Sequence, residues 1–199
     1  MAPDAFGLQR TAYAQDGLFT TAQAREHGIS RQLLARHVQS GRYERLGRGL
    51  YKLRDFPGSS HEDLHAKWLA VGADRAVVSH ESALELHGLG DVIPNLAHFL
   101  VSRSSRWIRA PEGVMLHTTS RELDPGDVVI RNGMRVTSPS RSILDAAAAG
   151  TAPEQIELGV KQAIAQGLVN AESLIAQGDH RSQRVSQLIR RAVTDVMSG

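Results

Sequence analysis

The chain has 199 residues, enough for one large domain or two small ones, and its 41% hydrophobic and 22% charged content is that of an ordinary globular protein. It has no cysteine, which rules out disulfides, thiol catalysis and Cys-ligated zinc. Its formal charge of +2 hides an asymmetry: residues 1–54 hold nine Arg/Lys against four Asp/Glu, and the rest hold fourteen against seventeen. A basic first quarter is the electrostatic footprint a polyanion requires, and the remainder gives no such reason.

In chain order, residues 5–15 are predicted as a first helix, with Phe6, Leu8 and Tyr13 among its apolar positions and Gly17 ending it. No apolar run reaches membrane-spanning length and Met1-Ala2-Pro3-Asp4 begins no signal peptide, so the cytoplasm is the expected location. Leu18 and Phe19 lead into Thr20, an N-cap that Gln23 can complete as a capping box. That helix runs to His27, where Gly28 supplies the left-handed stop. Ser30 caps the next helix, and Ile29 before it can pack on Leu34 as a hydrophobic staple.

Helical spacing puts Leu33, Leu34, His37 and Val38 of this second helix on one face. Arg31, Gln32, Ala35, Arg36 and Gln39 fall on the other. Arg can fork onto guanine, Gln can pair with adenine, and Ala35 permits close approach, so this face suits a DNA major groove. After Gly41, residues 43–46 and 50–53 read as two strands around Gly47-Arg48-Gly49, a turn with a cation at its tip. Helix, turn, recognition helix and basic hairpin together describe a winged helix-turn-helix. The expected interface is Thr20, Thr21 and Ser30 at the helix starts, Arg31, Gln32 and Arg36 on base edges, and Arg45, Arg48 and Lys52 on phosphate. A helical unit whose basic face is merely solvated is the competing reading.

Asp55-Phe56-Pro57-Gly58-Ser59-Ser60 reads as a linker, giving expected domains at 1–56 and 61–199. Ser60 is expected to cap a helix to Val71 that contains His61-Glu62-Asp63-Leu64-His65. These letters fit the H-E-x-x-H zinc-hydrolase motif, but a first turn after a polar linker favours solvated side chains, and no third ligand stands out. Residues 76–78 are a short strand, and Ser79 is expected to cap a helix from His80 to His87 with Gly88 at its stop. Ser79, His80 and Glu81 have the letters of a hydrolase triad, yet consecutive residues do not converge on one atom.

Residues 96–101 and 114–118 are expected strands. Residues 128–131 and 134–137 flank Asn132-Gly133, a strong hairpin signal. Ser138 then caps a helix with Pro139 at its first position, where Arg141 and Asp145 are spaced for a surface pair. Helices are expected at 153–165, 171–176 and 181–197. The last has an apolar stripe of Val185, Leu188, Ile189, Ala192, Val193 and Val196, destined for the core or a partner. There is no phosphate loop, dinucleotide turn, repeat or distinctive carboxylate pair. We therefore expect an α+β chain with no enzymatic site, no metal and no cofactor. A metal-dependent hydrolase at His61 and His65 is the enzyme alternative.

Three separated stretches resemble the AbiEi-type antitoxins of type IV toxin–antitoxin loci. The first is Phe19-Thr20-Thr21-Ala22-Gln23-Ala24 with Gly28-Ile29-Ser30 and Arg48-Gly49-Leu50-Tyr51. The second is Ser79-His80-Glu81-Ser82-Ala83-Leu84 with Leu86-His87-Gly88-Leu89. The third runs from Thr137 to Asp145. The likeness covers about residues 6–176 and implies a winged helix followed by a mixed α/β antitoxin domain ending in helices. The function it implies is repression of the protein's own operon through operator DNA, and opposition to a nucleotidyltransferase-like toxin. Chains of similar layout can continue into a nuclease-like domain. This sequence ends at Gly199 in an amphipathic helix, so nuclease activity is not expected.

Overall fold

The computed structural model describes residues 2–198; Met1 and Gly199, the outermost residues of the two expected domains and the start of the leader reading, lie outside them. The chain divides into two compact units, residues 1–75 with 132–134, and residues 76–131 with 135–199.

In the first unit, α1 (Ala5–Tyr13) begins at Asp4, whose side chain accepts from the Gly7 amide. The chain then forms β1 (Leu18–Thr20), a strand the sequence reading passes over as a lead-in. Thr20 starts α2 (Thr21–Glu26) with the expected capping box: its hydroxyl accepts from Gln23 N, and Gln23 accepts from Thr20 N. Ser30 caps α3 (Arg31–Gln39) by accepting from Leu33 N. The wing follows as β2 (Tyr43–Gly47) and β3 (Leu50–Leu53), with a bulge between Arg45 and Gly47. β3 is the middle strand of an antiparallel sheet in the order β1-β3-β2.

The core beneath these elements is Leu8, Ala12, Phe19, Ala24, Ile29, Leu34 and Tyr43, which places Ile29 and Leu34 in one cluster as a staple requires. Phe19 meets Tyr43 edge-on at 5.0 Å and stacks on Tyr51 at 5.7 Å. Each large side chain removed from water in this way contributes about 1.5–3 kcal/mol.

Helix α4 (Glu62–Val71) belongs to this unit and packs on β1 and β3, with Lys52 bonded to Glu62 at 2.8 Å. The units therefore part after Arg75 and not within residues 55–60, which form a loop inside the first unit. His61, not Ser60, is the residue before the helix.

The second unit contains β4 (Val77–Val78), α5 (His80–His87), β5 (Ala97–Ser102), β6 (Val114–Thr119), β7 (Val128–Arg131) and, from Arg135 on, β8 (Met134–Thr137). They form a mixed sheet in the order β6-β5-β4-β8-β7, with β4 antiparallel to β5 and parallel to β8, and β5 parallel to β6. Asn132 and Gly133 both take positive φ, 48° and 76°, as the two-residue turn between β7 and β8 demands.

Four helices follow: α6 (Pro139–Ala149), α7 (Pro153–Ala165), α8 (Ala171–Asp179) and α9 (Gln183–Ser198). The apolar stripe of α9 is buried within the unit, with Val185, Ile189, Ala192 and Val193 joining Leu84, Ile143, Val160 and Leu174. None of the described helices is long and apolar enough to cross a membrane. The fold is α+β throughout.

Candidate nucleic-acid interface

On α3, Leu34 is buried and Leu33, His37 and Val38 are half-buried, while Arg31, Gln32, Ala35, Arg36 and Gln39 are exposed. The two faces are those helical spacing predicts. His37 packs against Tyr43 at 5.0 Å. Its burial, with Arg42 and Arg36 nearby, lowers its pKa and keeps it uncharged near neutral pH. The positive charge of α3 therefore comes from the arginines on its outer face.

The remaining interface candidates fall into three groups. Thr20 and Ser30 are occupied as caps, so their hydroxyls hold helix starts in place. Thr21 donates both its backbone N–H, at 2.9 Å, and its hydroxyl, at 3.4 Å, to Gly49 O, tying the start of α2 to the wing turn. Thr20, Thr21 and Arg48 thus line one cleft of about 630 Å³. Arg48 stands exposed at the wing tip, and Arg45 folds back to donate from Nε to Gly47 O at 3.2 Å. Lys52 departs from the expectation. It is only partly exposed and its ammonium is held by Glu62, so a phosphate would have to compete with a carboxylate already in place.

Arg25, Arg42 and Arg54 are further exposed cations of this unit that the motif reading passed over. The charge count of residues 1–54 includes them, but no spacing rule singles them out.

Other sequence constellations look different once folded. His65 is buried, not solvated, and its Nδ1 lies 3.0 Å from Asp16 Oδ2, while His61 sits at the helix start. Among the described residues no three His, Cys, Asp or Glu side chains are grouped to hold a metal. Neither Ser79 nor Ser138 makes the expected side-chain cap. Ser79 Oγ is 2.9 Å from His80 Nδ1, and Glu81 instead accepts from Thr151 at 2.9 Å, so these three do not act as a relay.

Arg141 and Asp145 do pair, at 2.7 Å, but in the interior. Asp145 also accepts from Arg181 at 2.8 Å, and Arg141 reaches Asp127 at 3.2 Å. This is a buried ionic network, not the surface contact the spacing suggests. Removing one member leaves an uncompensated charge, whereas a surface pair contributes little.

Against known proteins, residues 10–53 match the family described as "Transcriptional regulator, AbiEi antitoxin". No curated protein sequence matches the chain. Among solved structures, the crystal structure of the RV2827C protein from Mycobacterium tuberculosis is similar in fold, with a TM-score of 0.58 at 14% identity. The likeness covers 94% of this chain and 74% of that one. The matched segment begins within α1 and ends with β3, which are the bounds of the helix-turn-helix and its wing. The family match is confined to residues 10–53, and the structural likeness extends over both units.

Proposed function

We propose that the chain is a DNA-binding regulator of its own operon and the antitoxin of a type IV toxin–antitoxin pair. In this reading the first unit grips double-stranded operator DNA, while the second opposes a nucleotidyltransferase-like toxin in the cytoplasm. One observation carries the DNA part: Arg31, Gln32 and Arg36 share the exposed face of a helix whose other face is seated in the core, beside a wing tipped by Arg48. Arg31 and Arg36 are suited to guanine edges and Gln32 to adenine, with Arg45 and Arg48 on phosphates. Thr20, Thr21 and Ser30 support that surface by fixing the helix starts and the wing turn. Lys52 contributes positive field more than direct contact, because Glu62 holds it.

One full-length variant, Arg31→Ala with Arg36→Ala, tests both parts through two readouts. In a mobility shift on the upstream promoter region each lost base-reading arginine should cost about 1–3 kcal/mol and relax specificity. Affinity unchanged by the double substitution would remove the DNA assignment from α3. In cells expressing the neighbouring toxin, the same variant supplied from a separate promoter should still rescue growth, because antitoxicity is assigned to the second unit. Loss of rescue would mean that repression on DNA does the protecting, and the chain would then be a regulator without a separate antitoxin activity.

A further inference from the structure

A second surface of the first unit has the composition of a protein-recognition site and shares no residue with the reading face. Phe6, Gln9, Arg10 and Tyr13 recur on α1 at the spacing that puts them on one side. That side is wet: Phe6 is 70% exposed and Tyr13 56%. The Tyr13 ring lies 5.4 Å from Phe56, and its hydroxyl accepts from Gln9 at 2.8 Å, which fixes the ring's orientation.

Beside this pair is a groove of about 370 Å³, floored by Tyr43 and Leu53 and rimmed by Arg42 and Arg54. Its volume suits one large apolar side chain. Arg10 lies 6.0 Å from the Phe6 ring centre and Arg42 5.8 Å from that of Tyr43, so aromatic faces orient both guanidiniums. Arg10, Arg42 and Arg54 form no ion pair among the described residues, and Asp55 is the one carboxylate lining the groove. Exposed aromatics interleaved with unpaired arginines are the residues that dominate protein interfaces.

We infer that this groove docks an acidic peptide segment of a partner protein, which seats one aromatic or large aliphatic side chain in the groove against the Tyr13–Phe56 pair and sets its carboxylates on Arg10, Arg42 and Arg54. Charge complementarity selects the acidic partner, since a guanidinium fork matches a carboxylate. The apolar floor selects a peptide over a duplex, whose charged backbone presents no side chain to fill it.

The test uses the full chain and a short fluorescein-labelled peptide of glutamates around a single phenylalanine, followed by anisotropy. Binding should saturate. It should weaken at least ten-fold when the phenylalanine becomes serine, and by a similar factor in Arg42→Glu with Arg54→Glu. Arg10→Glu, on an exposed helical position, provides a second variant that leaves the core untouched, and it should weaken binding several-fold with an unchanged thermal melt. Duplex operator DNA should not displace the peptide, and Arg31→Ala with Arg36→Ala should bind it normally. Absence of saturable binding, indifference to the phenylalanine, or displacement by DNA would each overturn the assignment.

Discussion

His80 shows how far a residue's chemistry can depart from its letter. It has a φ of +53° and is 6% exposed, with its ring stacked on His117 at 3.5 Å between centroids. His117 Nε2 in turn lies 3.1 Å from His98 Nδ1, so three imidazoles from α5, β5 and β6 converge. Burial is the main cause lowering the pKa of all three; for His80, His117, His98, Arg141 and Arg181 add to it, and the value falls to about 3. Glu81 beside His98 and Asp145 beside His117 oppose the shift without reversing it. Unfolded, His80 would titrate near 6.5. Between those values the unfolded chain takes up the proton and the folded one does not. Its stabilisation is thus fully present above about pH 6.5 and is lost as the pH falls toward 3. At about 1.4 kcal/mol per pH unit, His80 alone should remove about 2 kcal/mol of stability between pH 6.5 and 5. Urea unfolding at pH 7.5 and pH 5 measures this. His80→Asn, which tolerates the left-handed backbone, should reduce the difference by about that amount while leaving the share of His98 and His117.

At the scale of elements, β1 matters out of proportion to its three residues. It pairs with β3 from Leu18↔Lys52 to Thr20↔Leu50 and converts a two-stranded wing into a sheet. Its Phe19 contacts both Tyr43 and Tyr51, so α3, the wing and α1 share a single aromatic anchor. An isolated hairpin is marginal in water, and this third strand with a buried face is what makes the wing rigid. Phe19→Ala should cost about 3–5 kcal/mol, read as a shift of the denaturation midpoint with the slope unchanged. A loss below about 1 kcal/mol would show that the wing does not depend on β1.

Across the whole molecule, the place where the chain divides determines what can be cut from it. Residues 55–60 have linker composition, yet α4 beyond them buries His65, Trp68, Leu69 and Val71 and carries the Glu62 that holds Lys52. A fragment of residues 2–56 omits that apolar surface and is small enough to be marginal. Residues 2–75 should therefore melt cooperatively by circular dichroism, and residues 2–56 should not. Equal melting of the two would mean that α4 adds nothing to the first unit.

The sequence alone determined the local order of this protein. The Thr20 capping box, the Ser30 cap, the two faces of α3, the Asn132-Gly133 turn and the stripe of α9 were all legible, because each depends on residues within one or two turns of each other. The candidate interface was legible for the same reason, since the exposure of Arg31, Gln32 and Arg36 follows from helical period. Only the tertiary structure decided what depends on distant residues. β1 is too short to show a period and exists through its pairing with β3. Lys52 lost its freedom to Glu62, and His65 its solvent to the fold of α4 and to Asp16. Arg141 and Asp145 have surface-pair spacing, and became an interior network when Asp127 and Arg181 arrived from elsewhere in the chain. Burial is a property of the packed whole, so the energetic weight of a charge or an imidazole cannot be read from its neighbours in sequence.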